Sequence, residues 1–278
     1  MYPIITTALM TFGAGFTGAS FAKAQGPGQA LDDIMTLVGF SKLHEVAEKK
    51  RAKREQNITE FKESIAQEIL KIPEDSIQEP HLSVVGPALE ASKYYIEEGA
   101  LRNMFAKLIA SAMDSSKNSL THPAFVEVIK QLSPFDALFI RNINNLLPLK
   151  QIVIKGIEPE KTADMFLKKF YDGPIITGFI NFYYDNKYID YVANAKSISN
   201  LLRLGLIDIV DAPVGDGTSA YDGINSGIEL FKNREENIEL LKKANDELPK
   251  EHAPYIFETY RNYIRLTHFG ESFFETCI

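Results

Sequence analysis

The side chains able to do acid–base, nucleophilic or metal chemistry are few and widely spaced. The five histidines, His44, His81, His122, His252 and His268, include no pair four residues apart, the spacing that sets two ligands on one helix face. His44-Glu45 lacks the second histidine of an H-E-x-x-H site. His122 precedes Pro123, a position that suits helix entry better than a general base. A lone Cys277 excludes an internal disulfide, fits a reducing cytosol and reads as a small apolar residue. Glu97 and Glu98 are adjacent, so on a helix they point apart and read as exposed charge. No G-x-S-x-G elbow and no phosphate-binding loop occurs. From these residues the expectation is a chain that is not an enzyme, with no catalytic residue, no metal and no cofactor.

Two further motifs carry chemistry in other proteins. Gly13-Ala14-Gly15-Phe16-Thr17-Gly18 matches the dinucleotide fingerprint, with Asp32 and Asp33 downstream. Gly26-Pro27-Gly28 breaks the chain where a long helix should run, and no second strand precedes the acids, so the context fails. The basic run Lys49 to Arg54, between Glu48 and Glu55, reads as a solvated helix face, with contact to anionic lipid or nucleic acid as the alternative. A net charge of −7 and a pI near 5.4 argue against a general nucleic-acid binder. Tyr2 to Ala22 carries no charge and admits three readings: a surface-docked or loosely ordered tail, a membrane-spanning helix, or a signal peptide ending at Ala22-Lys23-Ala24.

The elements that would position any site are clearer. Leu101, Met104, Phe105, Leu108, Ile109 and Ala112 recur at helical spacing, and that face must be buried. Phe125, Val128, Ile129 and Leu132 repeat the pattern after Pro123. Ser133-Pro134-Phe135-Asp136 has the form of a capping box and opens a third helix through Leu147. Arg102, one step along from the apolar stripe, is expected to be exposed. Before these, Gln29 to Val38 reads as helical, Ile58, Phe61, Ile65, Ile69 and Ile72 form a packed face ended by Pro73, and Pro87 opens a helix closed at Gly99.

Past Leu147 the character changes, and a boundary is expected at Pro148. Ile152 to Ile154 predicts a strand, Pro159 to Tyr171 a helix, and Phe179 to Tyr191 an aromatic core or interface containing Tyr183, Tyr184 and Tyr188. Ser197 to Ile209 predicts a helix stopped by Gly205 and then a strand; Tyr263 to Thr267 predicts a returning strand, followed by a helix through Phe273 and Phe274. This order resembles a winged helix interrupted by a long insertion, about Pro213 to Tyr260, that includes a Gly-rich loop from Gly215 to Gly227 and a charged helix near Asn233 to Leu248. The predicted fold is mainly α, an N-terminal helical bundle followed by a C-terminal α+β module. Residues 1-28 are expected to be an apolar or flexible N-terminal segment, 29-147 the helical domain and 148-278 the α+β winged-helix-like domain.

The run Leu101 to Leu108 (including Met104 and Phe105), Ser111 to Asp114, His122-Pro123-Ala124-Phe125-Val126, and Gln131-Leu132-Ser133-Pro134 with Asp136 resembles the signature of the Abi-alpha (abortive infection alpha) family. The likeness extends from Ile72-Pro73 and Glu79-Pro80 to Leu266-Thr267-His268-Phe269-Gly270. The resemblance implies a bacterial protein of anti-phage defence, in which the infected cell stops growing or dies before the phage matures. It carries no catalytic residues. The leading expectation is a cytoplasmic defence protein acting through a protein partner or a homo-oligomer, with any small-molecule ligand left open. Two alternatives stand: a membrane-associated effector using Tyr2 to Ala22, and a nucleic-acid-binding regulator using Lys196, Asn200 and Arg203.

Overall fold

The computed structural model describes residues 48–143, 147–156, 172–180, 183–184, 187–188, 191–212, 221–247 and 254–278. The chain is mainly helical, with a small four-stranded antiparallel sheet. It divides into two units, one from Met1–Arg141 with His268–Ile278, the other Asn142–Thr267.

In the first unit, α1 (Glu48–Ile69), α2 (Leu82–Ser92), α3 (Gly99–Ser111), α4 (Ala124–Lys130), α5 (Pro134–Arg141) and, from the far end of the sequence, α9 (His268–Cys277) pack together. Helix α3 is the hub: α1, α2, α4, α5 and α9 all rest on it. A helix touched on several sides must be apolar on more than one stripe, and Leu101, Met104, Phe105, Ala106, Leu108, Ile109 and Ala110 are all buried. The stripe predicted for α4 is buried too, at Phe125, Val128 and Ile129. The capping box is present with both bonds: the Ser133 N–H donates to Asp136 Oδ2 at 2.8 Å, and the Asp136 N–H donates to Ser133 Oγ at 3.1 Å.

Several expected boundaries move. Helix α2 starts at Leu82 and holds Pro87 inside it, and it stops at Ser92 rather than running on to Gly99. Gly99 is the first residue of α3 and not a C-cap, with Glu98 in the N-cap position. Helix α5 ends at Arg141, and Leu147 already belongs to a strand. Arg102 is not exposed. Its side chain is 11% accessible, its Nη2 lies 2.5 Å from Glu60 Oε2 on α1, and its Nη1 donates to the Ile96 carbonyl at 2.8 Å.

In the second unit the strands β1 (Leu147–Gly156), β2 (Asp172–Phe179), β5 (Ile207–Val210) and β6 (Tyr255–Leu266) run in the order β2-β1-β6-β5, all neighbours antiparallel. A separate two-stranded ribbon joins β3 (Tyr183–Tyr184) and β4 (Lys187–Tyr188). The helix α6 (Tyr191–Arg203) stops as predicted at Gly205, whose φ of +71° suits the left-handed closing residue. The Leu206 N–H reaches back to the Leu201 carbonyl and the Gly205 N–H to that of Leu202, both at 3.0 Å, the two bonds of a Schellman close. Between β5 and β6 lie α7 (Asp222–Lys232) and α8 (Glu235–Asp246); α8 is the expected charged helix, whereas Gly223 and Gly227 are helical and not loop. Phe179, Tyr221, Ile224, Ile228 and Phe231 form the buried cluster of this unit, with Tyr191 stacked on Phe179 at 4.8 Å between centroids.

The expected helices at Gln29 to Val38 and Pro159 to Tyr171, the segment Tyr2 to Ala22, and the fingerprint Gly13 to Gly18 with Asp32 and Asp33 lie outside the described residues. Among the described residues no helix is long and apolar enough to cross a membrane.

Candidate functional site

The residues singled out in the sequence go mostly into packing. Met104 and Phe105 are buried in α3, and the ring of Tyr95 lies 5.9 Å from that of Phe105. His122 is an exposed helix-entry residue: its Nδ1 accepts the N–H of Ala124 at 3.1 Å, with Pro123 in the N-cap position of α4. Phe125 is fully buried, and its ring meets Phe269 at 5.1 Å and Phe273 at 5.3 Å, both from α9. Gly270 is buried on the same helix. Pro134 opens α5 between the two capping residues Ser133 and Asp136. Leu266 ends β6 opposite Ile207, and the Thr267 hydroxyl donates to the Gly205 carbonyl at 2.6 Å. The signature thus joins α4 to α9, and ties the end of β6 to the close of α6, without assembling a reactive group.

The thiol of Cys277 is buried and pushed up to about 12, chiefly by burial, so it stays protonated and is a poor nucleophile. Among the described residues no group of three or more His, Cys, Asp or Glu side chains is placed to hold a metal ion.

A cleft in the first unit gathers charge instead. It has a volume of about 180 Å³ and is lined by Glu68, Lys71, Ile72, Lys107, Ala110, Ser111, Asp114, Lys117, Glu275, Thr276 and Ile278. Four pieces of chain supply it: the end of α1 and the residues after it, the last half of α3, the turn after α3, and the last turn of α9. Lys107, Ala110, Ser111 and Asp114 stand at i, i+3, i+4 and i+7, one face of α3 and its continuation. That face was not recognised in the sequence because the deeper stripe of Met104, Phe105 and Leu108 dominates the apolar pattern.

Most polar groups of the cleft serve the fold. The last carbonyls of a helix have no partner within it. Here the Lys117 ammonium donates to the Glu275 carbonyl at 2.7 Å and the Ser111 hydroxyl to the Thr276 carbonyl at 3.0 Å, which closes α9 onto α3 and sets a cation at the negative end of its dipole. Asp114 Oδ1 accepts both the N–H and the hydroxyl of Ser116, at 2.9 and 2.6 Å. Lys71 pairs with Glu68 at 2.7 Å. Lys107 differs, since no hydrogen bond or ion pair engages its ammonium among the described residues. Its pKa is lowered first by burial; Glu68 pulls it back up, and Lys71, Arg141 and Lys117 push it further down.

A second cationic cluster lies in the other unit. Lys150, on β1 opposite Arg261 of β6, is buried; its ammonium donates to Asn225 Oδ1 and lies 5.8 Å from the centre of the Tyr221 ring, with the Arg261 guanidinium 5.9 Å from the same ring. Burial lowers its pKa first and Arg261 adds to that. The Tyr221 hydroxyl donates to the Asn262 carbonyl at 3.0 Å. This group is internally bonded and reads as a polar brace between α7 and the sheet.

Neither a curated protein nor a solved structure matches the chain. One family model does, over residues 53–277, from within α1 to the end of α9, and its description is "Abortive infection alpha". The match spans both units and takes in every residue of the resemblance read from the sequence. On that coverage, the chain belongs to the abortive infection alpha family.

Proposed function

We propose that this protein acts in bacterial anti-phage defence, in the cytoplasm, through contacts with a protein partner or a second copy of itself and without catalysis of its own. The family match over residues 53–277 carries this reading. Its non-enzymatic part is supported by the use of the signature residues in caps and packing, with Ser133 and Asp136 bonded to each other and Phe125 enclosed by Phe269 and Phe273. The single buried Cys277 is in keeping with a reducing compartment. The run of α6, Gly205, β5 and β6 supports a winged-helix-like reading of the second unit, with α7 and α8 as the insertion. A DNA role is not part of the proposal, because the chain carries a net charge of −7.

The test is expression of the whole chain in a bacterial host challenged with a broad phage panel. Fewer plaques, with infected cells arresting before phage release, are expected for at least one phage. Unchanged plaquing across the panel sinks the defence role. Gel filtration of the tagged chain from infected and uninfected cells tests the contact mode. An assembly larger than the monomer is expected in at least one condition, and a monomer throughout contradicts it.

A further inference from the structure

The cleft of the first unit holds a cation that its surroundings leave unsatisfied. Lys107 stands in the middle of α3 and lines the cleft together with Ala110, three residues along on the same face, and with Ile72. Its charged neighbours are otherwise engaged: Glu68 with Lys71, Lys117 with the Glu275 carbonyl, and Asp114 with Ser116. A half-buried lysine without a contact partner is costly, because burial penalises the charged form and the attraction of Glu68 offsets that only in part, with Lys71, Arg141 and Lys117 opposing it. Such a group is stabilised by any anion that enters.

We propose that this cleft binds a small anion bearing one phosphoryl group, free or as a phosphomonoester, with Lys107 as its main partner and Lys71 and Lys117 adding positive charge.

Size and charge select this class. The cleft, at about 180 Å³, is smaller than the roughly 300–1,000 Å³ of pockets that take drug-sized ligands, which suits one compact group rather than a dinucleotide. Lys71, Lys107 and Lys117 face Glu68, Asp114 and Glu275 in the same lining, so the cleft has no charge to spare for a polyphosphate. One dianionic group beside the unpaired ammonium is within its means, and Ile72 and Ala110 offer an apolar wall to a small ester substituent. A bound phosphoryl group favours the ammonium form, so it raises the lowered pKa of Lys107. The sign follows: affinity is highest below the pKa of free Lys107 and falls as pH rises through it. A phosphomonoester has its second pKa at about 6 and is dianionic well above it, so a fall at higher pH belongs to the lysines of the cleft and not to the ester.

The test is titration of the full chain with inorganic phosphate and with glycerol phosphate, read by calorimetry and by the melting midpoint, against sodium chloride of equal ionic strength. Saturable binding is expected, at least tenfold weaker in Lys107→Met, within about threefold of the parent in Lys107→Arg, and unchanged in Lys130→Gln, an exposed lysine paired with Glu127. Equal affinity for both probes means that the phosphoryl group alone is read, and tighter ester binding means that the apolar wall contributes. A midpoint rise matched by sodium chloride, or affinity unchanged in Lys107→Met, overturns the proposal. Should Lys107→Met fail to fold, lysine-methyl NMR of the reductively methylated parent takes its place: the Lys107 resonance is expected to move and its pKa to rise with phosphate. A Lys107 resonance that ignores phosphate refutes the site. None of these outcomes depends on whether the protein protects cells from phage.

Discussion

Phe105 and Arg102 lie three residues apart on α3 and show how differently neighbouring positions of one helix can matter. Phe105 is fully buried, and truncation to alanine removes a large side chain from a packed hub. The expected loss for Phe105→Ala is roughly 3–5 kcal/mol, measurable by denaturant unfolding. A loss below about 1 kcal/mol would show that the site collapses around the gap. Arg102→Ala is expected to cost about 1.5–3 kcal/mol, because its guanidinium holds Glu60 of α1 and the Ile96 carbonyl from a largely buried position. The helical period assigned Phe105 correctly and Arg102 wrongly. A period tells which face is apolar, but it does not tell that α1 lies over the flank where Arg102 emerges. Lys107 makes the opposite prediction. Its folded pKa lies below the unfolded value, so the folded state binds fewer protons between the two, and stability gains from this group as pH rises through that window. Below that window the penalty on the charged form is present in full, and Lys107→Met removes it. The variant is expected to melt no lower than the parent in phosphate-free buffer, and a clear fall would mean that the ammonium has a stabilising partner.

At the scale of elements, the signals that came through were those made by a few adjacent residues. The Ser133–Asp136 box and the Gly205 stop are local hydrogen-bond patterns, and each formed where the sequence placed it. Gly99 and Pro87 were misplaced because their rules have two outcomes. A glycine after acidic residues can close one helix or open the next, and a proline can sit inside a helix at the cost of one bond. Gly178 shows a demand that no local rule contains. At φ +101° near the end of β2 it lets the strand pass against the first turn of α6, and a Cβ there would stand 2.1 Å from the Tyr191 carbonyl oxygen. The Asn194 amide donates to the Gly178 carbonyl at 3.2 Å across this approach. Gly178→Ala is therefore expected to cost more than the about 1–3 kcal/mol of ordinary overpacking, since backbone rather than a side chain must move. Near-parent thermal unfolding of that variant would contradict the close approach.

At the scale of the molecule, chain order and packing part company. Helix α9 follows β6 directly, and the sequence reading grouped it with residues 148–278, yet it clusters with the first unit, on α3. Phe269 and Phe273 reach Phe125, while Ser111 and Lys117 close its last carbonyls. Deletion of residues 268–278 is thus expected to lower hydrogen-exchange protection in α3 and α4 while β1 and β6 keep theirs. Loss confined to the second unit would refute the assignment of α9.

The sequence by itself determined the apolar stripes of α3 and α4, the Ser133–Asp136 cap, the Gly205 stop and the family, because each is written in residues close together along the chain and is read by spacing alone. The tertiary structure decided which helix became the hub, where Arg102 found its partner, and that Lys107 lines a cleft with Lys71 and Lys117. Those outcomes join residues distant in sequence, and burial, desolvation and ion pairing depend on what packs opposite, which no local pattern encodes.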